Sequence, residues 1–487
     1  MRETLATWKR TSDAFWSRAL RAIDGAPLWT ALAIAAAHAG VRLWGLARPG
    51  LWGDEAINVW WTREPLRAAI ADSLSTLDPP LFNLLLHGWT RLFGVGEAAV
   101  RALPAALAVA TAVELFVLAR AWFGARAALF ASLALLVSGS LQAYAHETRP
   151  TTLACALVVA SLLALEAVAR RPGARAVLAL ALVDAALVYT HYLTALFLVA
   201  QLGVVLVMPR APGTLKRFAF GQLLAAALVA PLAFEVLRRH LGPPGWQRVP
   251  TSHWILAALD ELAGGLAPLY VALALAALST VVVRRAAEAR RRRAALWLWL
   301  AAPFALMLAV SWFAPMFHPR YVLYSAPALA LLAGEAIAAL PLGESAQLAL
   351  VAVTLAAGAR GFEPSPPKEH DWQLVASRLK RDCASDCAIV VHPRWHLAVL
   401  AYYFDRAAFL DRDHTEARLN AERVWVVRSA ELPSADELGR PKTILLVQFE
   451  LERLRGAADG RAALAPDYAM TGDELLGGAR LSTFNRR

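Results

Sequence analysis

Over most of its length the chain alternates between long apolar runs and short polar connections. Ten runs are apolar enough to cross a bilayer, which requires about 20 residues of helix. They occupy positions 27–46, 98–121, 127–145, 151–169, 176–190, 192–208, 218–237, 266–283, 294–313 and 321–339. A shorter run that ends near position 358 makes eleven. The pattern predicts a membrane all-α bundle of about 11 transmembrane helices.

The first connection, at positions 47–97, is much longer than the others. Between positions 62 and 93 its apolar residues recur at helical spacing, interrupted by Asp78-Pro79-Pro80. This predicts two short interfacial helices, because tryptophans favour the headgroup region of a bilayer. The tryptophans in question are Trp60, Trp61 and Trp89.

A change of composition after position 358 predicts a separate soluble domain. The Pro-rich stretch EPSPPKEHDW is followed by one helical segment, 373–381, and by β-branched runs at 388–391, 424–427 and 443–449. Such runs favour parallel strands flanked by helices. We expect a short N-terminal segment (1–26), a membrane domain (27–358) and a small C-terminal α/β domain (359–487).

Composition agrees with a membrane protein and gives its expected orientation. Hydrophobic residues make up 58% of the chain and charged residues only 18%, and the mean hydropathy is +0.46. The net charge of +11 does not indicate nucleic-acid binding, because segment 360–487 has 19 basic and 19 acidic residues. Basic residues instead cluster in every second connection, as expected for a cytoplasmic N-terminus. An odd number of spans then places the C-terminal domain on the outer face. No cleavage pattern follows segment 12–26, so the first span is expected to be a membrane anchor.

Three cysteines and one intramembrane acid leave alternatives open. Cys155 lies within an apolar run and is expected to be a packing residue. Cys383 and Cys387 are compatible either with a disulfide in an oxidising compartment or with two free thiols. Asp184 pairs with an arginine or hydrogen-bonds a neighbouring side chain.

Polar side chains gather near the expected outer ends of the spans. Each one taken alone fits an interfacial anchor or a helix cap. As a group, however, carboxylates and arginines on one side of a bundle suit a lipid-linked phosphosugar, whose phosphate needs cationic donors and whose transfer needs a base. The group contains Asp54, Glu55, Asp78, His87, Glu97, Arg101, His146, Glu147, Arg149, His191, Tyr192, His253, His318, Arg320 and Tyr321.

Several ordered segments resemble the GT-C superfamily of polyprenyl-phosphate-sugar glycosyltransferases. The resemblance is to bacterial relatives of protein O-mannosyltransferases (glycosyltransferase family 39) and of the lipid A aminoarabinose transferase. It is carried by WGDEA, DPPLFNLLLHGWTRLFGVGEAAVRALPAAL, QAYAHETRPTTL, YTHYLTALFLVAQ and HPRYVLYSAPALALL, and by KEHDWQLVASRL and YYFDR in the tail. It implies a GT-C bundle.

The resemblance also implies roles for individual residues. Asp54 matches the first-loop acid that acts as general base, beside Glu55, and Glu147 matches the second outer acid. Arg149 and Arg320 are the implied phosphate partners. The remaining substrate-binding candidates are Tyr321, His191, Tyr192, His87 and Asp78. A divalent metal is compatible with the sequence but not required by it; His87, His146 and His191 are its candidate ligands, and no metal site is assigned.

The expected function is transfer of a sugar from a polyprenyl-phosphate carrier to an unidentified lipid, glycan or protein acceptor. The reaction would occur on the outer face of the bacterial cytoplasmic membrane. Two other classes fit less well: a lipid-linked sugar flippase or transporter, for which repeated halves are typical, and a non-catalytic envelope assembly protein.

Overall fold

The computed structural model describes residues 18–487 except for 19–20, 22, 24, 76–77, 171–172, 240–249, 369, 384–385, 428–432, 450–463 and 465. Most of the N-terminal segment, with the basic residues Lys9 and Arg10, therefore lies outside the described residues. The chain divides into two compact units. The helical unit comprises Met1–Trp44, Ser73–Phe82 and Arg101–Ser365, and the tail unit comprises Gly45–Asp72, Asn83–Val100 and Pro366–Arg487.

The helical unit is built from apolar helices packed on a core that contains Phe116, Phe197 and Trp299. Its helices are α1 (Pro27–Arg42), α5 (Glu97–Phe123), α6 (Ala125–Leu136), α7 (Gly139–Ala145), α8 (Thr151–Arg170), α9 (Ala174–Thr190), α10 (Ala195–Val207), α11 (Thr214–Arg239), α12 (Ser252–Ala263), α13 (Leu266–Val282), α14 (Ala287–Phe313), α15 (Ala326–Ala339) and α16 (Glu344–Ala359). Short 3-10 helices at Tyr192–Thr194 and Pro319–Ser325 precede α10 and α15.

The count of eleven spans is not confirmed. Among the described residues, five helices are long and apolar enough to cross a membrane, or up to seven if each of two bent pairs forms one span. Several predicted spans are too short when measured as helices: α1 and α16 have 16 residues each, and α9 has 17. About 20 residues are needed to cross a bilayer without tilt or local thinning.

Both bent pairs differ from the sequence prediction. The predicted span at 127–145 breaks after Leu136 with a bend of 61° between α6 and α7. Ser138 caps the new helix by accepting a hydrogen bond from the Leu141 amide. The stretch predicted as an outer loop before Gly265 instead contains α12, which meets α13 at 78°. Gly264 ends α12 in the left-handed conformation that glycine adopts without strain.

Three glycines bring the two bends together with the end of α16. A Cβ atom on Gly139 would lie 2.4 Å from the Gly361 carbonyl oxygen, and one on Gly361 would lie 2.2 Å from that of Gly264. A Cβ on Gly264 would lie 2.8 Å from the Gly139 nitrogen. Any side chain at these positions would force backbones apart, so the contact, here called the glycine junction, depends on glycine.

The buried Asp184 has hydrogen-bonding neighbours rather than an arginine among its described contacts. It accepts hydrogen bonds from Ser161 (2.6 Å), Gln222 (2.6 Å) and Gln201 (3.5 Å). These side chains come from four helices, so the network ties α8, α9, α10 and α11 together.

The tail unit contains most of the long first connection, except Ser73–Phe82. The two helices expected on either side of Asp78-Pro79-Pro80 are present as α3 (Leu66–Ser75) and α4 (Leu81–Phe93). An additional helix, α2 (Gly53–Trp61), was not predicted. It contains Asp54 and Glu55 in its first turn, where carboxylates are favoured by the helix dipole.

The rest of the tail unit contains a five-stranded sheet. Its elements are α17 (Trp372–Asp382), β1 (Cys387–His392), α18 (Leu397–Phe404), α19 (Arg406–Leu410), α20 (Thr415–Ala421), β2 (Val424–Val426), β3 (Thr443–Gln448), β4 (Tyr468–Leu476) and β5 (Ala479–Arg486). The strand order is β2-β1-β3-β5-β4. The predicted strands β1, β2 and β3 pair in parallel, whereas β4 and β5 are antiparallel and were not predicted. Cys383 and Cys387 form a disulfide.

Candidate active site

A cleft in the helical unit collects four of the residues that the sequence singled out. Arg149, His191, Arg320 and Tyr321 line it, from three separate segments of the chain. Its other lining residues are Pro150, Thr151, Ala154, Thr194 and Tyr324. Two guanidinium groups in one small cleft make it suited to an anion.

His191 contributes a neutral ring to the same cleft as the two arginines. It lies in the connection between α9 and the following 3-10 helix, and its Nδ1 accepts a hydrogen bond from the Leu193 amide at 3.2 Å. Burial, together with the positive charges of Arg320 and Arg149, lowers the pKa of His191 to about 3. With Nδ1 used as an acceptor, the proton of the neutral ring is on Nε2, which remains a hydrogen-bond donor.

Tyr321 links His191 to the Arg320 segment. Its ring centroid lies 4.8 Å from that of His191 and 5.4 Å from that of His318. The Arg320 guanidinium carbon lies 5.7 Å from the same ring centroid. His318 caps this 3-10 helix by accepting a hydrogen bond from the Arg320 amide at 3.3 Å. Packing and capping therefore fix the Arg320 backbone at the cleft.

Carboxylates accompany the arginines in the helical unit. Tyr144 on α7 donates a hydrogen bond to the Glu261 carboxylate on α12. Glu261 also interacts electrostatically with Arg320 and with Glu147. Ser140 binds the backbone carbonyls of Glu261 and Leu262, which fixes α7 against the end of α12. The cationic cleft thus has two acidic neighbours, Glu147 and Glu261.

A buried hydrogen-bond network holds in place the segment that carries Glu147 and Arg149. Arg42 is fully buried and donates to the carbonyls of Leu135 (2.7 Å) and Leu136 (3.0 Å) at the end of α6, and to Gln142 Oε1 at 2.7 Å. His146 Nε2 lies 3.0 Å from Gln142 Nε2 and 2.8 Å from the Arg42 carbonyl oxygen. His146, which directly precedes Glu147, is therefore held by Gln142 and by the Arg42 carbonyl.

In the tail unit, the two first-loop acids have different environments. Glu55 is fully buried, and its carboxylate accepts a hydrogen bond from the Trp52 amide at 3.3 Å, which caps α2. Asp54 is half-buried in the same turn. Of the pair, Asp54 is the more accessible to a substrate.

The remaining candidates occupy other positions. His87 is half-buried on α4, and burial with the charges of Arg91 and Arg63 lowers its pKa. Asp78 forms a backbone turn with Ser73, whose hydroxyl binds the Asp78 carbonyl at 2.8 Å. Tyr192 begins the 3-10 helix that follows His191. Neither Asp78 nor Tyr192 is among the residues that line the cleft.

The described part of the chain contains no group of three or more metal-ligating side chains arranged to hold a metal ion. Of the candidate ligands, His146 is buried, with Nε2 in contact with Gln142 and the Arg42 carbonyl, and His191 uses Nδ1 for the Leu193 amide. The geometry therefore assigns no ligand set.

Comparisons with known proteins identify the fold. Residues 78–234 match the family model described as dolichyl-phosphate-mannose-protein mannosyltransferase. ArnT from Cupriavidus metallidurans, solved with undecaprenyl phosphate, aligns with a TM-score of 0.59 over 93% of this chain and 97% of its own, at 16% identity. The fold is GT-C.

Other GT-C structures extend the comparison. The apo form of the same ArnT gives a TM-score of 0.59 over 94% of this chain and 98% of its own, at 17% identity. Arabinofuranosyltransferase AftD from Mycobacteria gives 0.51 over 94% of this chain, at 15% identity, and this chain spans 40% of that larger protein. Among curated proteins, none matches the chain significantly in sequence. The resemblance to the GT-C superfamily noted in the sequence is confirmed.

Sequence reasoning missed Glu261, Tyr144 and Arg42 as neighbours of the GT-C candidate site. Glu261 follows Asp260 within an otherwise apolar stretch, WILAALDELAGGL, which was a usable signal for a buried acid. Tyr144 lies within the motif AYAHETRP, but the sequence pattern indicated no role for it. Arg42, at the end of an apolar run, reads from sequence as an interfacial anchor.

Proposed function

We propose that this protein is an integral membrane glycosyltransferase that moves a sugar from a polyprenyl-phosphate carrier to an acceptor on the outer face of the bacterial cytoplasmic membrane. The observation that carries the proposal is the meeting of Arg149 and Arg320 in one cleft of a GT-C bundle. The undecaprenyl phosphate bound to ArnT supports a carrier of the same chemical class here.

In this proposal Arg149 and Arg320 bind the donor phosphate. Each guanidinium offers planar donors that match phosphate oxygens, and the Nε2–H group of His191 adds a neutral donor. Glu147 and Glu261 keep the cleft from carrying a large excess of positive charge before the donor arrives. Tyr321 packs beside this position and is assigned to sugar or phosphate contact.

Asp54 is proposed as the general base. It removes the proton from an acceptor hydroxyl, whose oxygen then attacks the anomeric carbon of the donor. The bond between that carbon and the phosphate oxygen breaks, and the electron pair leaves with the lipid phosphate. Charge that develops on the phosphate is stabilised by the two arginines. The sugar is transferred with inversion, and Glu147 is assigned to acceptor binding.

The proposed orientation places the tail on the outer face. The alternation of basic connections supports it, as does the disulfide between Cys383 and Cys387, since such bonds persist in oxidising compartments. A reporter that is active only outside the membrane, fused after Arg487, should give signal. Signal from a cytoplasmic reporter alone would place the tail inside and contradict the proposal.

The test of function uses purified full-length protein in vesicles with a panel of polyprenyl-phosphate sugars and total envelope extract. We expect release of free polyprenyl phosphate and appearance of the sugar on an extracted acceptor. Movement of an intact donor across the vesicle membrane without bond cleavage would instead identify a flippase. The acceptor and the sugar would follow from mass analysis of the product.

A further inference from the structure

Within the tail unit, side chains from segment 366–487, here called the tail, contact the chain at α2, the helix that carries Asp54. The contacts reach both ends of the helix and come from α18 and the segments beside it. We propose that Tyr403 and Arg412 are positioning residues that hold α2, and with it Asp54, in place for sugar transfer. This inference rests on the proposed function.

The first contact fixes the chain just before α2. The Tyr403 hydroxyl accepts a hydrogen bond from the Leu51 amide and donates one to Glu97 Oε1 at 3.2 Å. Leu51 is fully buried, so its amide has no access to water as a substitute acceptor. A Cβ atom on Gly50 would lie 2.9 Å from the Tyr403 oxygen, so the backbone passes directly against this hydroxyl.

A second contact lies at the first residue of α2. The Nδ1 atom of His396 would be 3.5 Å from a Cβ atom on Gly53, which is ordinary packing distance. His396 is 2% exposed and packs against Trp372 and Phe449, with ring centroids 5.2 Å and 4.3 Å away. The start of α2 therefore lies beside a buried cluster of aromatic rings in the tail.

The third contact holds the other end of α2. The Arg412 guanidinium carbon lies 4.7 Å from the ring centroid of Trp60 in the last turn of α2. The same guanidinium pairs with Asp72 and lies 3.5 Å from a Glu64 oxygen. Arg412 and its two acidic partners are all mostly buried, which makes these pairs stronger than exposed ones.

The same face of the tail holds the end of the long connection. Tyr402 and Arg406 both donate to the Val95 carbonyl, at 2.9 Å and 3.1 Å. The Arg406 guanidinium carbon lies 3.7 Å from the Tyr402 ring centroid. The motif YYFDR, which was noted in the sequence only for its resemblance, thus contributes Tyr402, Tyr403 and Arg406 to the contacts with the first connection.

The position of α2 should affect the rate of sugar transfer. A general base must lie within hydrogen-bond reach of the proton that it removes, and a misplacement of about 1 Å costs on the order of a hundredfold in rate. The phosphate-binding residues Arg149 and Arg320 belong to the helical unit. Loosening α2 should therefore lower turnover while donor affinity stays the same.

The experiment compares Tyr403→Phe with Tyr468→Phe in the full-length protein. Tyr468 is a matched control, since it is buried and its hydroxyl binds only the Pro441 carbonyl within the tail among its described hydrogen bonds. We expect Tyr403→Phe to lower kcat about tenfold or more, with donor affinity within twofold of wild type, and Tyr468→Phe to keep kcat. Hydrogen exchange at the Leu51 amide should become faster only in Tyr403→Phe.

A second pair tests the far end of α2. Arg412→Met should lower kcat in the same way, and Arg412→Lys should restore part of it, because it keeps the charge beside Asp72. Arg394→Met is the matched control, since Arg394 pairs with Glu416 inside the tail at 2.6 Å.

Three results would overturn the inference: wild-type kcat in both Tyr403→Phe and Arg412→Met, equal losses in the matched controls, or a parallel loss of donor affinity. A wild-type protein that transfers no sugar would instead defeat the proposed function. In that case the Leu51 exchange comparison still decides whether Tyr403 holds this segment.

Discussion

The Tyr144 hydroxyl donates a hydrogen bond to the carboxylate of Glu261, which is 117 positions further along the chain, and so joins α7 to α12. The hydrogen-bonded Glu261 carboxylate interacts electrostatically with Arg320 and Glu147. It therefore adds an acid to the surroundings of the cationic cleft.

We predict that Glu261→Gln strengthens binding of an anionic donor severalfold. The substitution keeps the hydrogen bond to Tyr144 but removes a negative charge that opposes the phosphate near Arg320. Titration of a polyprenyl-phosphate sugar into purified protein measures the change. Asp260→Asn is the matched control, because Asp260 is the exposed neighbour on the same helix. Weaker donor binding in Glu261→Gln would show that the acid supports the site rather than opposing the phosphate.

Arg149→Leu and Arg320→Leu should each weaken donor binding by about tenfold or more. A hydrogen bond to a charged group contributes about 1.5 to 3 kcal/mol, and 1.4 kcal/mol corresponds to a factor of ten. The same titration gives the affinity, with Arg238→Leu as a control in which an exposed pair with Glu235 is lost. Unchanged affinity in both cleft variants would reassign these arginines to structural anchoring.

Asp54→Asn should reduce transfer about 10²- to 10⁴-fold while the protein stays folded and inserted, because general base catalysis contributes about that much. Glu55→Gln is the informative comparison. Its carboxylate caps α2, and a glutamine can accept the same hydrogen bond, so this substitution should lower kcat much less than Asp54→Asn does. A near wild-type rate for Asp54→Asn with an inactive Glu55→Gln would move the role to Glu55, and full activity in both would remove the pair from the mechanism.

Acid should destabilise the tail through His396. Burial, with the charges of His370 and His392, lowers its pKa from 6.5 to about 3. The neutral ring therefore contributes its full stability above pH 6.5, and that contribution falls as the pH drops towards 3. Between pH 7 and pH 4.5 the loss is roughly 2.5 kcal/mol.

Thermal unfolding at both pH values checks this prediction. His396→Phe should show a smaller decrease than wild type, whereas His414→Gln, at an exposed position, should behave as wild type does. An identical decrease in His396→Phe and wild type would assign the acid sensitivity to other groups.

The sequence predicted those features that depend on local patterns. Helical spacing gave α3 and α4, β-branched runs gave the parallel strands, and the motifs around Arg149 and Arg320 named residues that do share a cleft. The bend between α6 and α7 was missed because hydropathy averages over a window and passes across a break such as Ser138-Gly139, whereas α12 lies in a stretch that was predicted as an outer loop. The β4–β5 pair was missed because β4 is an edge strand with mostly exposed positions and no run of β-branched residues.

The contacts that define the cleft's surroundings could not be predicted for a different reason. Tyr144 and Glu261, or Arg42 and Gln142, are at least 100 positions apart in the chain and meet only in the packed bundle. No spacing within one segment encodes such a meeting.

The glycine junction has a consequence for how the protein is made. Gly139 and Gly264 precede Gly361 in the chain by long stretches, yet the three backbones touch. During synthesis the first bends enter the membrane while the last helix is still on the ribosome. Gly139 and Gly264 can meet as soon as residue 264 has emerged, but the junction is complete only after residue 361 has followed, so the Gly361 contacts are among the last of the bundle to form.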